Sequence, residues 1–196
     1  MRRLLHYSDI ENAYDDPNRL ARLAGTIETR RDADTLVFGT GDNTSPGILP
    51  LVTKGEQALD FFHAVDPDAD TFGNHDFDYG PDRALDIIER APQPWLCANV
   101  ERGGEQFGHE SSVRPWQIFE RDGQRVGVFG LVTPKTASIN PATEDVVFTD
   151  PIVAAEKAVD ALQAEGVDYV VCLSHLGRGD ETLAAEVDVD VVLGVV

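Results

Sequence analysis

The sequence predicts an α/β fold in which strands and helices alternate through right-handed crossovers. Three observations predict it. Short apolar runs at 3–7, 35–38, 69–72 and 167–173 have the length and bounding turns of buried strands. Longer segments between them carry apolar residues at helical spacing. Two of these segments open on the same pair, Asp16-Pro17 and Asp150-Pro151, an N-cap followed by proline at the first helical position. With 196 residues the chain holds one good-sized domain whose core needs no staples.

Taken in order, Arg3 to Tyr7 is a short strand ending at Ser8-Asp9. After the first Asp-Pro cap, Leu20, Leu23, Ala24 and Ile27 fall on one helical face. Thr35 to Phe38 is a buried-type strand that ends at Gly39-Thr40-Gly41-Asp42-Asn43. A loop with Pro46 and Pro50 leads to a helix from Thr53 to Val65 with Ala58, Leu59, Phe62 and Val65 inward. Ala69 to Phe72 forms the third strand, Pro81 to Arg90 a helix, and Trp95 to Val100 a strand. The polar, glycine-rich stretch from Glu101 to Pro115 reads as a surface loop. Gln117 to Glu120 and Arg125 to Leu131 flank Asp122-Gly123, a strong hairpin signal. The second Asp-Pro cap opens a helix with Ile152, Ala155, Val159 and Leu162 on one face. A strand from Val167 to Leu173 then ends at Ser174-His175, followed by a short helix at 181–186 and a last apolar run from Val189 to Leu193.

Charge excludes some partners. Acids number 35 against 16 bases, a formal net charge of -19, and lysine is confined to Lys54, Lys135 and Lys157. Self-repulsion of this size destabilises a compact state at low salt, so the composition reads as a halophile's surface, screened by molar salt. No basic patch with interleaved aromatics is present, which argues against nucleic acid as a partner. The N-terminal Met1-Arg2-Arg3-Leu4-Leu5 runs straight into a strand without a long apolar region. No signal peptide and no membrane span are expected, which implies a cytoplasmic protein. Cys97 and Cys172 lie in apolar runs and read as small buried residues.

Asp9, Asp42, Asn74 and His175 share a position: each stands just past the C-terminal end of a predicted strand, the edge where sites assemble in open α/β sheets. Carboxylate, amide oxygen and imidazole suit Mn, Zn, Fe or Mg, and the mixture suggests two metals sharing one bridging aspartate. The densest polar stretch is Gly73-Asn74-His75-Asp76-Phe77-Asp78-Tyr79-Gly80, at a strand-to-helix turn. There His75 can protonate a leaving oxygen, and Asp78, three residues on, can orient its imidazole. Asp76 reads as a supporting or capping acid.

These residues carry a resemblance. Asp9, Gly41-Asp42-Asn43, Gly73-Asn74-His75-Asp76 and Ser174-His175 resemble the calcineurin-like metallophosphoesterases. His6-Tyr7-Ser8-Asp9, Thr53-Lys54-Gly55-Glu56, the eight residues from Gly73 to Gly80, Ala98-Asn99-Val100 and Leu173-Ser174-His175-Leu176-Gly177 look like the N-terminal half of bacterial and archaeal 5'-nucleotidases. That branch also includes 2',3'-cyclic-nucleotide phosphodiesterases and nucleotide-sugar hydrolases. The resemblance implies a two-sheet β-sandwich flanked by helices, the four-layer α/β/β/α metallophosphoesterase fold. It implies two divalent metal ions, with Asp9 on one, Asp42 bridging, and Asn74 and His175 on the other. His75 with Asp78 becomes the catalytic pair, and the substrate a nucleotide or other phosphate ester.

Two departures from the family pattern stand out. Its first motif is usually Asp-x-His, and here the third place is Glu11, an oxygen donor with an added negative charge. Its last strand leads into Gly-His-x-His, whereas this chain ends at Leu193-Gly194-Val195-Val196. The expectation is therefore a C-terminally incomplete metallophosphoesterase domain over 1–196, without the C-terminal nucleotide-specificity domain. Rival readings are a non-catalytic module lacking the last ligands, and the same fold acting on cyclic nucleotides or nucleotide sugars. A sheet edge left uncovered after Val196 would favour a homodimer. His6 reads as a core or supporting histidine, His63 and His109 as structural or solvated, and Trp95 and Trp116 as packing residues. Arg178 reads as a solvated loop arginine, with contact to a phosphate as the alternative.

Overall fold

The computed structural model describes residues 3–195. Its first sheet begins with β1 (Arg3–Tyr7) and β2 (Thr35–Gly39), paired in parallel with Leu5 opposite Val37. Phe38 of β2 bridges Ala69, and Asp70 bridges Trp95 of β3 (Trp95–Leu96), which pairs with β6 (Val113–Arg114). All these links are parallel. The expected third strand shrinks to residues 69 and 70; Thr71 still donates to the Gly39 carbonyl before the chain swings into the Gly73 turn.

The second sheet has the order β11 (Val191–Leu193), β10 (Tyr169–His175), β8 (Gln124–Val132), β7 (Trp116–Arg121). β10 is parallel to both neighbours. β7 and β8 form the expected hairpin, with Asp122 at φ 53° and Gly123 at φ 71°, the double positive-φ turn that matches strand twist. β4 (Val100–Arg102), β5 (Glu105–Gln106) and β9 (Val146–Phe148) make a small antiparallel sheet.

Seven helices cover these sheets among the described residues: α1 (Pro17–Arg30), α2 (Ile48–Thr53), α3 (Ala58–Val65), α4 (Pro81–Arg90), α5 (Thr136–Ile139), α6 (Pro151–Ala164) and α7 (Gly179–Glu186). Both Asp-Pro caps form: Asp16 accepts from the Asn18 and Arg19 amides, and Asp150 from those of Ile152 and Val153.

Alternation along the strands sorts the core into layers. Leu36 and Phe38 of β2 pack with Val126 and Val128 of β8 and with Val171 and Leu173 of β10, so both sheets fill one apolar layer. Val37, on the other side of β2, packs with Ile27, Phe62, Ile87 and Trp95 beneath α1, α3 and α4. Phe129, Leu131 and Cys172 pack with Ala155, Val159, Leu162 and Leu183 beneath α6 and α7. Both cysteines are buried and free.

Four sequence expectations are corrected. The helix expected over Thr53–Val65 is two helices, broken where Lys54 (φ 53°) and Gly55 (φ 85°) turn left-handed. Pro50 lies inside α2, in a first turn where its missing N–H is not needed. The strand expected over Trp95–Val100 is interrupted because the Asn99 side chain donates to the Val132 and Thr149 carbonyls and accepts from the Val132 amide. The stretch expected as a surface loop over Glu101–Pro115 is partly core: Phe107 is fully buried, its ring 5.7 Å from Phe72 and 5.6 Å from Phe77. His6, expected in or near the core, is exposed on β1. Among the described residues no helix is long and apolar enough to cross a membrane.

Candidate active site

The parallel strands deliver their C-terminal ends to one place. Asp9 lies two residues past β1, and its amide donates to the Gly41 carbonyl at 3.1 Å. Asp9, Glu11 and Asp42 all have positive φ, at 51°, 43° and 55°. A left-handed backbone costs a non-glycine residue about 1–2 kcal/mol, so the surrounding structure must hold these three acids in place.

Asp76 is one such hold. Its buried carboxylate accepts the Gly73 amide at 2.8 Å, and the Asp42, Asn43 and Thr44 amides at 2.9, 3.1 and 3.0 Å. The Thr44 hydroxyl adds a fifth bond at 2.8 Å. One side chain therefore ties the turn carrying Asn74 and His75 to the loop carrying Asp42. Two glycines let these loops touch. A Cβ on Gly41 would lie 2.6 Å from the Gly73 nitrogen and from His175 Nδ1, and a Cβ on Gly73 would collide with the Asp42 carboxylate. Behind them, Asp70 accepts from the Tyr7 hydroxyl at 2.7 Å and from Asn43 Nδ2 at 2.9 Å.

The imidazoles are held in defined tautomers. His175 Nδ1 is 2.9 Å from the Thr40 carbonyl, which can only accept, so Nδ1 carries a proton. Nε2 then faces the Asp42 carboxylate at 3.2 Å, with both side chains almost fully buried. A lone pair against a carboxylate requires a cation to be shared, either a proton or a metal. Burial opposes the protonated imidazole, but the hydrogen bond and charge of Asp42 prevail and push His175 up to about 9. His75 is a second case. Its Nδ1 lies 3.1 and 3.0 Å from the two Asp78 oxygens, and this hydrogen bond is the main cause of a rise to about 9. Its own amide donates to Asp42 Oδ1 at 2.7 Å. Asp78 is steadied by the Ser45 hydroxyl at 2.8 Å and the Asn140 amide at 3.3 Å.

Donor atoms of Asp9, Asp42 and His175 lie within 4.8 Å of one another, and so do those of Glu11, Asp42 and His75. Asp42 belongs to both groups. Burial, then the charges of Asp42 and Asp9, raise the Glu11 carboxyl, as expected of acids crowded together without a compensating cation. This donor set fits divalent metal: carboxylate oxygens and a neutral imidazole nitrogen, converging on a shared aspartate.

All seven residues singled out from the sequence are brought together here. Asn74 lines the same cavity as Asp9 and His175, its carbonyl accepting from Asn140 at 3.2 Å. Glu11 also converges on the site, where the family pattern has histidine. Sequence reasoning missed Ser45, Asp70 and Asn140. Asn140-Pro141 repeats the cap-plus-proline signal, and Asn140 does accept from the Ala142 amide while its Nδ2 turns to the site. Asp70 gives no such signal, being a charged residue inside an apolar run.

Comparison with known proteins decides the family. The sequence pattern of the calcineurin-like phosphoesterases matches residues 2–194. The chain belongs to this family. Within the phosphoesterases it is similar to 5'-nucleotidases: it is 30% identical to that of Diplobatis ommata, over 97% of this chain and 36% of that protein. Among solved structures, the 5'-nucleotidase precursor of Thermus thermophilus superimposes with a TM-score of 0.86 at 30% identity, covering 98% of this chain and 41% of that one. The NAD nucleotidase of Haemophilus influenzae gives 0.84 at 25% identity, covering 97% and 37%. This phosphoesterase chain thus spans little more than a third of the length of such relatives.

Proposed function

We propose that the chain is one metallophosphoesterase domain over 1–196 that hydrolyses phosphate esters of nucleotides, as the names of its 5'-nucleotidase relatives suggest. The layers of the core are read as the four-layer α/β/β/α arrangement, and the site as lying where the ends of its two sheets meet. The observation that carries the reading is Asp42, which shares one donor group with Asp9 and His175 and another with Glu11.

In this reading Asp9, Glu11, Asp42, Asn74 and His175 hold two divalent cations of the Mn, Zn, Fe or Mg class. Bound there, such cations supply Lewis-acid stabilisation of the charge that develops on a phosphoryl group and activate water. The chain's own residues do the rest. Thr40 fixes the His175 tautomer so that Nε2 is free to act as a ligand. Asp78 holds the Nδ1 proton of His75 and orients the ring. His75 Nε2 then delivers its proton to the departing nucleoside oxygen. Asp76 and the two glycines keep the loops in register.

The test is release of phosphate from AMP in molar KCl, with and without Mn²⁺, beside Asn74→Ala. Release that needs Mn²⁺ and falls by about a hundredfold or more in the variant supports the assignment. Metal-independent release, or an unaffected variant, overturns it.

A further inference from the structure

One cavity of about 890 Å³ opens beside the candidate site, with Asp9, Asn74 and His175 at one end. Ile139, Ile152 and Leu176 contribute apolar wall, and no Phe, Tyr or Trp is among its lining residues. Its charge is the reverse of the molecule's. Lys135 and Arg178 line it against a single acid, Asp9, in a chain where acids outnumber bases 35 to 16. Lys135 and Arg178 are exposed and, like Lys54 and Lys157, have no ion-pair partner among the described residues, so their charges are free to face the cavity.

The sheet places these two cations together. Val132 of β8 and His175 of β10 are direct partners in a parallel pair, and Lys135 and Arg178 each stand three residues farther along. Adjacent strands run about 4.8 Å apart, so the two loops leave side by side. Each cation is the residue that precedes a helix, α5 or α7. Equal offsets from one register pair thus bring two positive charges to the same cavity.

We propose that Lys135 and Arg178 bind a second phosphate of the substrate, remote from the scissile one, so that the chain favours phosphoesters carrying two phosphates over monoesters. This rests on the nucleotidase reading above. A chain of net charge -19 repels a polyanion, and a locally inverted field is what such a substrate needs to enter. With no Phe, Tyr or Trp in the lining to stack a base, the two cations are the feature that sets this cavity apart.

The experiment measures binding of ADP and AMP by calorimetry in EDTA, at the lowest salt that keeps a native circular-dichroism spectrum. It compares wild type, the double variant Lys135→Gln/Arg178→Gln, and Lys135→Arg. Wild type should prefer ADP by about tenfold, the scale of one charge-assisted contact. The double variant should lose that preference while AMP affinity stays within about threefold, and Lys135→Arg should retain it. With Mn²⁺ the same variant should raise KM for ADP alone. A wild-type preference near one, no ADP binding, or a preference unchanged in the double variant overturns the proposal. If the preference is found but neither nucleotide is hydrolysed, the hydrolase reading fails and the cationic pair stands.

Discussion

Asp76→Asn replaces one carboxylate oxygen with NH₂ at the residue that ties two loops together. Oδ2 accepts the Gly73 and Asp42 amides, and Oδ1 those of Asn43 and Thr44 with the Thr44 hydroxyl. Whichever oxygen becomes nitrogen, two backbone donors then face a third donor. A buried unsatisfied donor costs about 1–3 kcal/mol, so the pair costs about 2–6 kcal/mol. Part is offset, because burial and the neighbouring Asp42 already disfavour the Asp76 carboxylate, pushing its acid up to about 6. The net loss expected is about 3 kcal/mol, which for a chain of this length lowers Tm by roughly 6–12 °C. The assay is thermal unfolding followed by circular dichroism, in EDTA and again with Mn²⁺. The rise in Tm that Mn²⁺ brings should shrink too, since the Asp42 loop loses its anchor. A Tm within about 1 °C of wild type, with an undiminished response to Mn²⁺, would refute the reasoning.

Other consequences follow from burial. Asp70 is fully buried, and that burial pushes it from an ordinary 3.8 to about 7. Between those values the native state binds more protons than the unfolded state. Stability therefore falls as pH rises through that window, by up to about 1.4 kcal/mol per pH unit. Asp70→Asn should flatten the dependence of metal-free Tm on pH below 7, and an unchanged slope would count against this account. Phe107→Ala should cost about 3–5 kcal/mol in urea unfolding, as for a fully buried aromatic; a loss under about 0.5 kcal/mol would restore the surface-loop reading.

What the sequence made legible was whatever local chemistry encodes. The Asp-Pro caps and the Asp122-Gly123 turn work through their own backbone, so their elements stand where periodicity puts them. The candidate residues Asp9, Asp42 and Asn74 were legible as neighbours because strand ends in one parallel sheet come together, whereas His175 reaches them from the second sheet. What local chemistry does not encode was misread. Phe107 sits among polar and glycine residues, and only its packing against Phe72 and Phe77 from other segments makes it core. The break between α2 and α3 depends on left-handed Lys54, a conformation lysine does not advertise. Asp76 was legible as a supporting acid, yet its reach to the 42–44 loop is a tertiary fact. The exposure of Ile48, Leu51 and Val52 on α2, each at least 70%, has no counterpart in the sequence pattern.

The bond from His175 Nδ1 to the Thr40 carbonyl joins positions 135 residues apart. The carboxylates come from the first half of the chain, and the buried imidazole arrives only with β10. On a ribosome Asp9 and Asp42 emerge long before His175. The donor group of Asp9, Asp42 and His175 therefore forms only once the second sheet stands beside the first, so its geometry reports how the two sheets are docked.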